Sequence, residues 1–513
     1  MIRELNPQQL TFDEFKTPFE KGLDKNNRWI VLADKIPWRE LTKIYTKQLS
    51  KKMGRPAKPS RIVIGALIIK HKLRLPDEET TVTIKENPYH QYFIGYKEFS
   101  HEEPFEPSLF VTIRKRLGQQ EFEAMTDAFL EVIEKIESSG EKDRCDLSDS
   151  DVTKKLSKAT EETTNTEDGN EKENNGTLLM DATVAPADIK YPTDLDLLNT
   201  GREHSERIID ILWKQNRVGS KPRTYRREAR KAYLSLAKKK KKSSKEIRKG
   251  IRKQLNYLRR NINIINEMLD GYRGEMTPLR FRDLRIFWII QELYRQQQEM
   301  YDLRTHKIKD RIVSISQPHV RPIVRGKSGK EVEFGAKISA SLWNGYAFLD
   351  RVSWDAFNES GDLISQVDRY RKRFGCFPEV VIADEIYGTR ANRTYLQSNN
   401  IRYTFKPLGR PAQKEANQSK VDHKQRKMEL GLRNHIEGKF GEGKRGYDLD
   451  LVKAKLPETS ESWIAAIFFV MNLARWLRDY FFVFVRNIIF CRQSQFFCYF
   501  KAHSVFTMTL LNA

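Results

Sequence analysis

Three carboxylates stand where phosphodiester chemistry would need them. Asp181 closes the apolar run TLLM, Asp384 closes VVIA, and Glu437 lies within LRNHIEGKFGEGKRGYDLD. Cutting a phosphodiester at neutral pH requires an activated water and a stabilised leaving oxygen. Two divalent ions ~3.5–4 Å apart supply both, and acidic side chains must hold them. Mg²⁺ takes oxygen ligands and keeps several of its waters, so a few carboxylates suffice. A carboxylate directly after a buried strand sits where open α/β sheets build their sites. A lone aspartate there serves more often as a turn former or helix cap. Two of them, with a strongly basic segment between, leave both readings open.

The third acid brings its own neighbours. Arg433, Glu437 and Lys444 stand at i, i+4 and i+11, one face of a continuous helix. An acid flanked by two bases suits a metal ligand with phosphate clamps; an ordinary salt-bridged surface has the same pattern. Gly438, Gly441, Gly443 and Gly446 each cost a helix up to ~1 kcal/mol relative to Ala, so packing must support this one or it ends early. Gly438 to Lys444 also spells G-x-x-x-x-G-K, but Arg445 stands where Ser or Thr is required, and the segment follows a helical run. A nucleotide-binding loop is not expected.

The charge balance points to a polyanionic partner. The chain has 513 residues, a formal net charge of +23 and 39% hydrophobic residues, with a pI near 9.6. That length suggests two to four domains, and the excess favours nucleic acid or an anionic membrane. Residues 201–260 hold 22 Lys or Arg against 5 Asp or Glu, so this segment alone supplies +17. At its centre are Lys238, Lys239, Lys240, Lys241 and Lys242, followed by IRKGIRKQLNYLRR at helical spacing. Such a run is usually a solvated face; its length and density here favour contact with phosphates.

Cys145, Cys376, Cys491 and Cys498 form no C-x-x-C pair, which disfavours a zinc ribbon and suits a reducing compartment. No apolar signal core is visible in MIRELNPQQLTFDEF. The apolar stretch 464–490 is broken by Arg475, Arg478, Asp479 and Arg486, short of the ~18 uninterrupted apolar residues that mark a membrane span. A buried helix followed by an amphipathic, aromatic tail at 481–513 is expected, in a cytoplasmic protein.

The elements that must position the acids follow from periodicity. Residues 1–137 read as mostly helical: SRIVIGALIIKHKL, a short aromatic NPYHQYFIGY, PSLFVTIRKRLG with Ser108 as N-cap, and EFEAMTDAFLEVIEKIE. They suit a helix-turn-helix DNA reader or a small helical packing domain. The basic arm KKMGRPAKPSR ahead of them suits a minor groove or a plain loop. Residues 138–176 hold 11 acidic and 6 basic residues and almost no large apolar side chain, a linker composition. From about 177 a buried strand ends in Asp181, and the basic helical insert 201–310 follows. Next comes a hairpin turning at Asn344-Gly345, then helix SQVDRYRKRF, strand 379–383, helix RANRTYLQSNN, strand IRYTFK, a helix at 426–444 and a long buried helix SWIAAIFFVMNLARWLR. Without the insert this is a three-layer α/β fold around a mixed sheet.

LMDATVAPADIKYPTDLDLLN, QPHVRPIVRGK, VEFGAKISASLWNGYAFLDRVSWDAFNE, VIADEIYGTRANRTYL and LRNHIEGKFGEGKRGYDLD together resemble insertion-sequence transposases of the DDE type, which have a ribonuclease-H-like catalytic core. DEETTVTIKENPYHQYFIGYKEFSHEEPFEPSLFVTIRKRL resembles the helical domain found ahead of that core. The resemblance implies a ribonuclease-H-like mixed sheet with a large helical insertion at 177–480, preceded by an all-α DNA-binding domain at 1–137. It makes Asp181, Asp384 and Glu437 the catalytic ligands of two Mg²⁺ or Mn²⁺ ions. Related transposases carry Y-x₂-R-x₃-E-x₆-K; Arg433, Glu437 and Lys444 match it, while Leu430 replaces the Tyr. Arg433 and Lys444 would contact phosphates near the scissile bond. The insert, with Lys238 to Lys242, would hold flanking or target DNA, and residues 1–137 would read the terminal inverted repeats. Joining two ends implies a homodimer or larger assembly. The alternatives are an inactivated or host-adopted DNA-binding copy and a nuclease of the same fold without strand transfer.

Overall fold

The structure is a computed structural model that describes residues 22–49, 56–138, 173–216, 220–272, 278–327, 330–406 and 416–479. The expected linker at 138–176, apart from its two ends, lies outside these residues. So do the tail at 481–513 and the first half of the basic arm.

Among the described residues seven helices come first: α1 (Arg28–Lys35), α2 (Trp38–Lys47), α3 (Ser60–Leu73), α4 (Asp77–Glu86), α5 (Pro88–Phe93), α6 (Leu109–Arg116) and α7 (Gln119–Ser138). The expected helix SRIVIGALIIKHKL is α3, residue for residue. It is buried on nearly every side, as its all-round apolar sequence requires. Its Lys70 turns inward to Asp77 at 2.9 Å, and Arg114 of α6 reaches the same carboxylate at 2.7 Å. Ser108 does precede α6, but its hydroxyl makes no capping bond because its backbone is already helical. Asn87 does cap α5, accepting from the Tyr89 and His90 amides.

These helices share one apolar core with one face of the sheet and the helices that cover it. Phe122 of α7 meets Phe469 at a ring-centroid distance of 6.0 Å, and His71 meets Trp463 edge-on at 5.0 Å. Arg373 binds Asp127 at 2.6 Å and Glu123 at 3.0 Å across the same seam.

Strand β1 (Thr177–Pro186) starts the sheet. The insert follows as α8 (Asp194–Asn216), α9 (Arg226–Ala237), α10 (Ser244–Asp270) and α11 (Phe281–Asp302). Leu198, Ile208 and Leu212, Leu255, Leu258 and Ile265, and Phe287 and Ile290 give it a core of its own. Ser243 and Glu246 form a reciprocal capping box at the start of α10.

Next come β2 (Arg321–Lys327), β3 (Lys330–Trp343), β4 (Tyr346–Ser353), α12 (Leu363–Phe374), β5 (Val380–Ile382), α13 (Arg390–Ser398), β6 (Arg402–Tyr403) and α14 (Ala416–Gly446). A last helix, α15, spans 457–479. The hairpin turns at Asn344 (φ 46°) and Gly345 (φ 79°), both left-handed as that dipeptide predicts. The sequence pattern marked two strands here; the structure has three. The extra one, β2, carries Pro322 and pairs only with the first part of β3, a place where a strand proline is tolerated.

In the sheet β1 lies between β3, antiparallel, and β5, parallel; β4 continues antiparallel beyond β3, and β6 parallel beyond β5. This is the expected α/β fold, a mixed sheet with a helical insertion behind an all-helical region. Leu179, Ile338, Ala340, Leu342 and Ile382 face α14 and α15; Leu178, Met180 and Val381 face Leu363, Val367 and Tyr370 of α12. Among the described residues no helix is long and apolar enough to cross a membrane.

Candidate active site

The register of β1 against β5 brings the two aspartates side by side. Leu179 pairs with Ile382 in parallel, and Asp181 and Asp384 each lie two residues further on. A step of two returns to the same face of a strand, and Asp384 is still extended (φ −68°, ψ 156°). Both carboxylates therefore stand on the α14 side, beyond the last rung of the β1–β5 ladder. The expectation that Asp181 ends its strand is not met: β1 runs on to Pro186, held by β3 alone, with Asp181 opposite Ala340. What ends near Asp181 is the parallel pairing, and that opens the site.

Helix α14 crosses this opening. It starts ten residues before the expected 426 and continues through the glycines to Gly446. Leu432, Ile436, Phe440 and Tyr447 are buried against the sheet and α15, and that packing offsets the glycine cost. Gly443 is part of the fit, because a Cβ there would meet Leu449 at 3.0 Å and Met471 at 3.2 Å. G-x-x-x-x-G-K is thus helical, with no phosphate-binding loop.

Beside the buried stripe run Arg433, Glu437 and Lys444. Arg433 Nη2 donates to Asp384 Oδ2 at 3.4 Å and to Glu437 Oε1 at 3.1 Å. Lys444 Nζ donates to Thr183 Oγ1 at 3.0 Å, and Thr183 shares the face of Asp181. Asp384 Oδ1 accepts from the Glu385 amide at 2.7 Å, and Asp181 Oδ1 from the Ala182 amide at 2.8 Å. Side-chain exposures of 45% for Asp384 and 54% for Glu437 leave both open to solvent.

Asp181 is the more enclosed member, half-buried in β1. Burial pushes its carboxyl up to about 6; the Ala182 amide and Arg433 pull it down, and the charges of Glu359 and Glu437 push it further up. Glu359 lies in the 3₁₀ turn Glu359–Asp362 after β4 and is held by Lys337 at 2.9 Å. Sequence reasoning missed Thr183 and Glu359. The period of two along β1 would have pointed to Thr183, whereas Glu359 arrives from a distant turn that no local pattern marks.

The five expected acidic and basic residues Asp181, Asp384, Glu437, Arg433 and Lys444 thus converge. Lys238, Lys239, Lys240, Lys241 and Lys242 do not join them. They form the exposed turn between α9 and α10 on the insert. Helical spacing does not carry through this run: five adjacent like charges repel, and Ser243 starts a new helix immediately after. Lys239 pairs with Glu246.

The donor set fits a hard divalent cation: carboxylate oxygens only, two open to solvent and the third half-buried. As placed, the acids do not form a closed metal nest among the described residues, because the Arg433 guanidinium lies between two of them.

Residues 381–474 match the family described as Transposase DDE domain, and residues 17–116 match Transposase domain (DUF772). Both matches are to families described as transposase domains. The first match takes in Asp384, Arg433, Glu437 and Lys444, and the second spans helices α1 to α6. The chain is 32% identical over 130 residues to a Rhizobium meliloti protein titled "Uncharacterized protein ORF8 in nfe locus". That alignment covers 25% of this chain and 62% of the relative's length. No solved structure matches the chain.

Proposed function

We propose that the chain is the transposase of an insertion sequence, which cuts DNA at the ends of its element and joins the freed ends to target DNA. The observation that carries this reading is the junction at the open end of the β1–β5 ladder. There one arginine of α14 joins Asp384 to Glu437 beside the half-buried Asp181. Four antiparallel strands, β1 to β4, followed by two parallel ones support a ribonuclease-H-like core at 177–480.

Asp181, Asp384 and Glu437 would hold two Mg²⁺ or Mn²⁺ ions, which when bound supply an activated nucleophile and neutralise the leaving oxygen. The protein positions these ligands. The Ala182 and Glu385 amides orient the two aspartates, and the packed stripe of α14 fixes Glu437. Arg433 and Lys444 face the same opening and would bind the phosphates flanking the scissile bond, so that attack occurs in line.

The exposed cations of the insert would hold flanking or target DNA. Arg227, Arg230, Lys231 and Lys238 line one side of α9, leading into the lysine turn. Residues 1–137 would read the inverted repeats, and 138–176 would link them to the core. With Lys70 and Arg114 turned inward to Asp77, repeat reading would fall to the outward side chains of these helices. Synapsis of two ends calls for a homodimer or larger assembly, acting in the cytoplasm on chromosomal DNA.

The test is Mg²⁺-dependent cleavage of DNA carrying the element's own end, by the native chain and by Asp384→Asn. Nicking at the end that disappears in the variant supports the enzyme. Binding without nicking in either protein supports the inactivated DNA-binding reading instead. Nicking without joining leaves a nuclease.

A further inference from the structure

Arg433 stands in the space between two carboxylates assigned to the metal. Its Nη2 alone makes both contacts, 3.4 Å to Asp384 and 3.1 Å to Glu437, and its charge reaches Asp181 as well. A guanidinium has five donors in a planar fork suited to bidentate partners. Here one nitrogen serves two acids, and the buried Nε has no partner at all. Interactions of this kind with half-exposed acids are weak and readily exchanged. Other cations near the site are engaged elsewhere: Lys337 binds Glu359 and Lys444 donates to Thr183.

We propose that Arg433 is a resident counter-ion that holds the place of the divalent cation in the metal-free protein. An entering ion takes over Asp384 and Glu437, and the displaced guanidinium turns its whole fork toward a phosphate oxygen. Arrival of metal and readiness for DNA are thereby coupled through one side chain. The inference rests on the three-carboxylate metal site proposed above.

The sign of the effect is distinctive. Losing a residue that only positions the acids weakens metal binding; losing a resident cation tightens it, because the ion no longer competes with a like charge. The experiment is Mn²⁺ binding to the full chain, followed by calorimetry and by the electron spin resonance of free Mn²⁺. R433Q is expected to bind on the order of tenfold more tightly, as fits a unit charge removed a few ångströms from a divalent ion in a partly solvated site. R433K keeps the charge and should remain near the native affinity. Without metal, R433Q should melt below the native chain, and saturating Mn²⁺ should raise its melting temperature by more than it raises the native one.

A folded R433Q with native or weaker affinity overturns the proposal. If R433Q does not fold, a crystal structure of the native chain with Mn²⁺ decides. Arg433 turned away from Asp384 and Glu437 supports the inference, and Arg433 still within hydrogen-bond reach of both overturns it. Mn²⁺ binding that is absent from the native chain, or unaltered in Asp384→Asn, brings down the metal site itself, a result distinct from failure of the counter-ion role.

Discussion

The sheet end and the insert are both rich in charge, and they treat it in opposite ways. At the sheet end the charges are few, packed against a core and matched: Arg433 with Asp384 and Glu437, Lys337 with Glu359. On the insert they are many and mostly exposed, and only a minority meet an acid, as Lys239 meets Glu246 and Arg226 meets Asp210. A buried charge must be compensated or it shifts its pKa. An exposed one costs little and stays available to a mobile polyanion. Under the proposed function, the first region would serve chemistry at one point and the second affinity along a length of DNA.

Separating the two regions by mutation gives the largest expected effects. Asp384→Asn should lower cleavage by about 10³-fold or more, since each ion contributes several kcal/mol to the transition state. DNA affinity should stay within about twofold, as read by filter binding or anisotropy. A variant with Lys238 to Lys242 all changed to Gln should do the reverse. It should bind more weakly, and the slope of log K against log salt should flatten by about 0.9 for each phosphate that a lysine no longer neutralises. An unchanged slope would return the run to a merely solvated surface.

The half-buried Asp181 supplies a smaller effect of unusual sign. Asp181 titrates near 6 in the folded chain, against 3.8 for an ordinary aspartate. The folded state therefore holds this proton more tightly, and stability without metal falls as pH rises from about 4 to 6. The loss amounts to no more than about 3 kcal/mol, at 1.36 kcal/mol per pK unit. Asp350, fully buried and also near 6, adds to the same window, so Asp181→Asn isolates the first contribution. The variant should melt higher than the native chain at pH 7.5 in chelator and lose that advantage at pH 4. Equal melting temperatures at pH 7.5 would mean that Asp181 is not strained by its burial.

The smallest expected effect tests the frame beneath the site. A Cβ on Gly335 would meet the Ala185 carbonyl oxygen and come within 2.7 Å of Pro186 Cα. Gly335→Ala should cost about 1–3 kcal/mol, as overpacking does, in a denaturant melt. Cleavage should then fall through loosening of the β1–β3 register rather than through any missing ligand.

Local pattern was enough for the pieces. The apolar spacing of SRIVIGALIIKHKL marks α3, Asn344-Gly345 marks the hairpin turn, and the spacing 433, 437, 444 marks the functional side of α14. The sequence also placed the net charge in the insert. It misjudged features that depend on partners. Asp181 has the pattern of a strand terminus because the apolar run stops there, yet β3 carries the strand on to Pro186. The lysine run is helical by spacing, but the cost of adjacent like charges and the cap at Ser243 split it. Residues 1–137 read as a helical domain ahead of a linker, and the sequence did not show that Phe122 and His71 pack against α15.

Residue type and spacing alone determined the classes of element and the concentration of positive charge, because these are properties of periodicity and charge count; the acidic triad was expected from the family resemblance. The tertiary structure decided which acids meet. The meeting of Asp181 and Asp384 depends on one parallel rung, Leu179 with Ile382, between segments some two hundred residues apart. Whether Arg433 lies between Asp384 and Glu437 depends on the packing of α14 against the sheet. Pairing register and helix packing arise from contacts distant in sequence, and no local pattern encodes them.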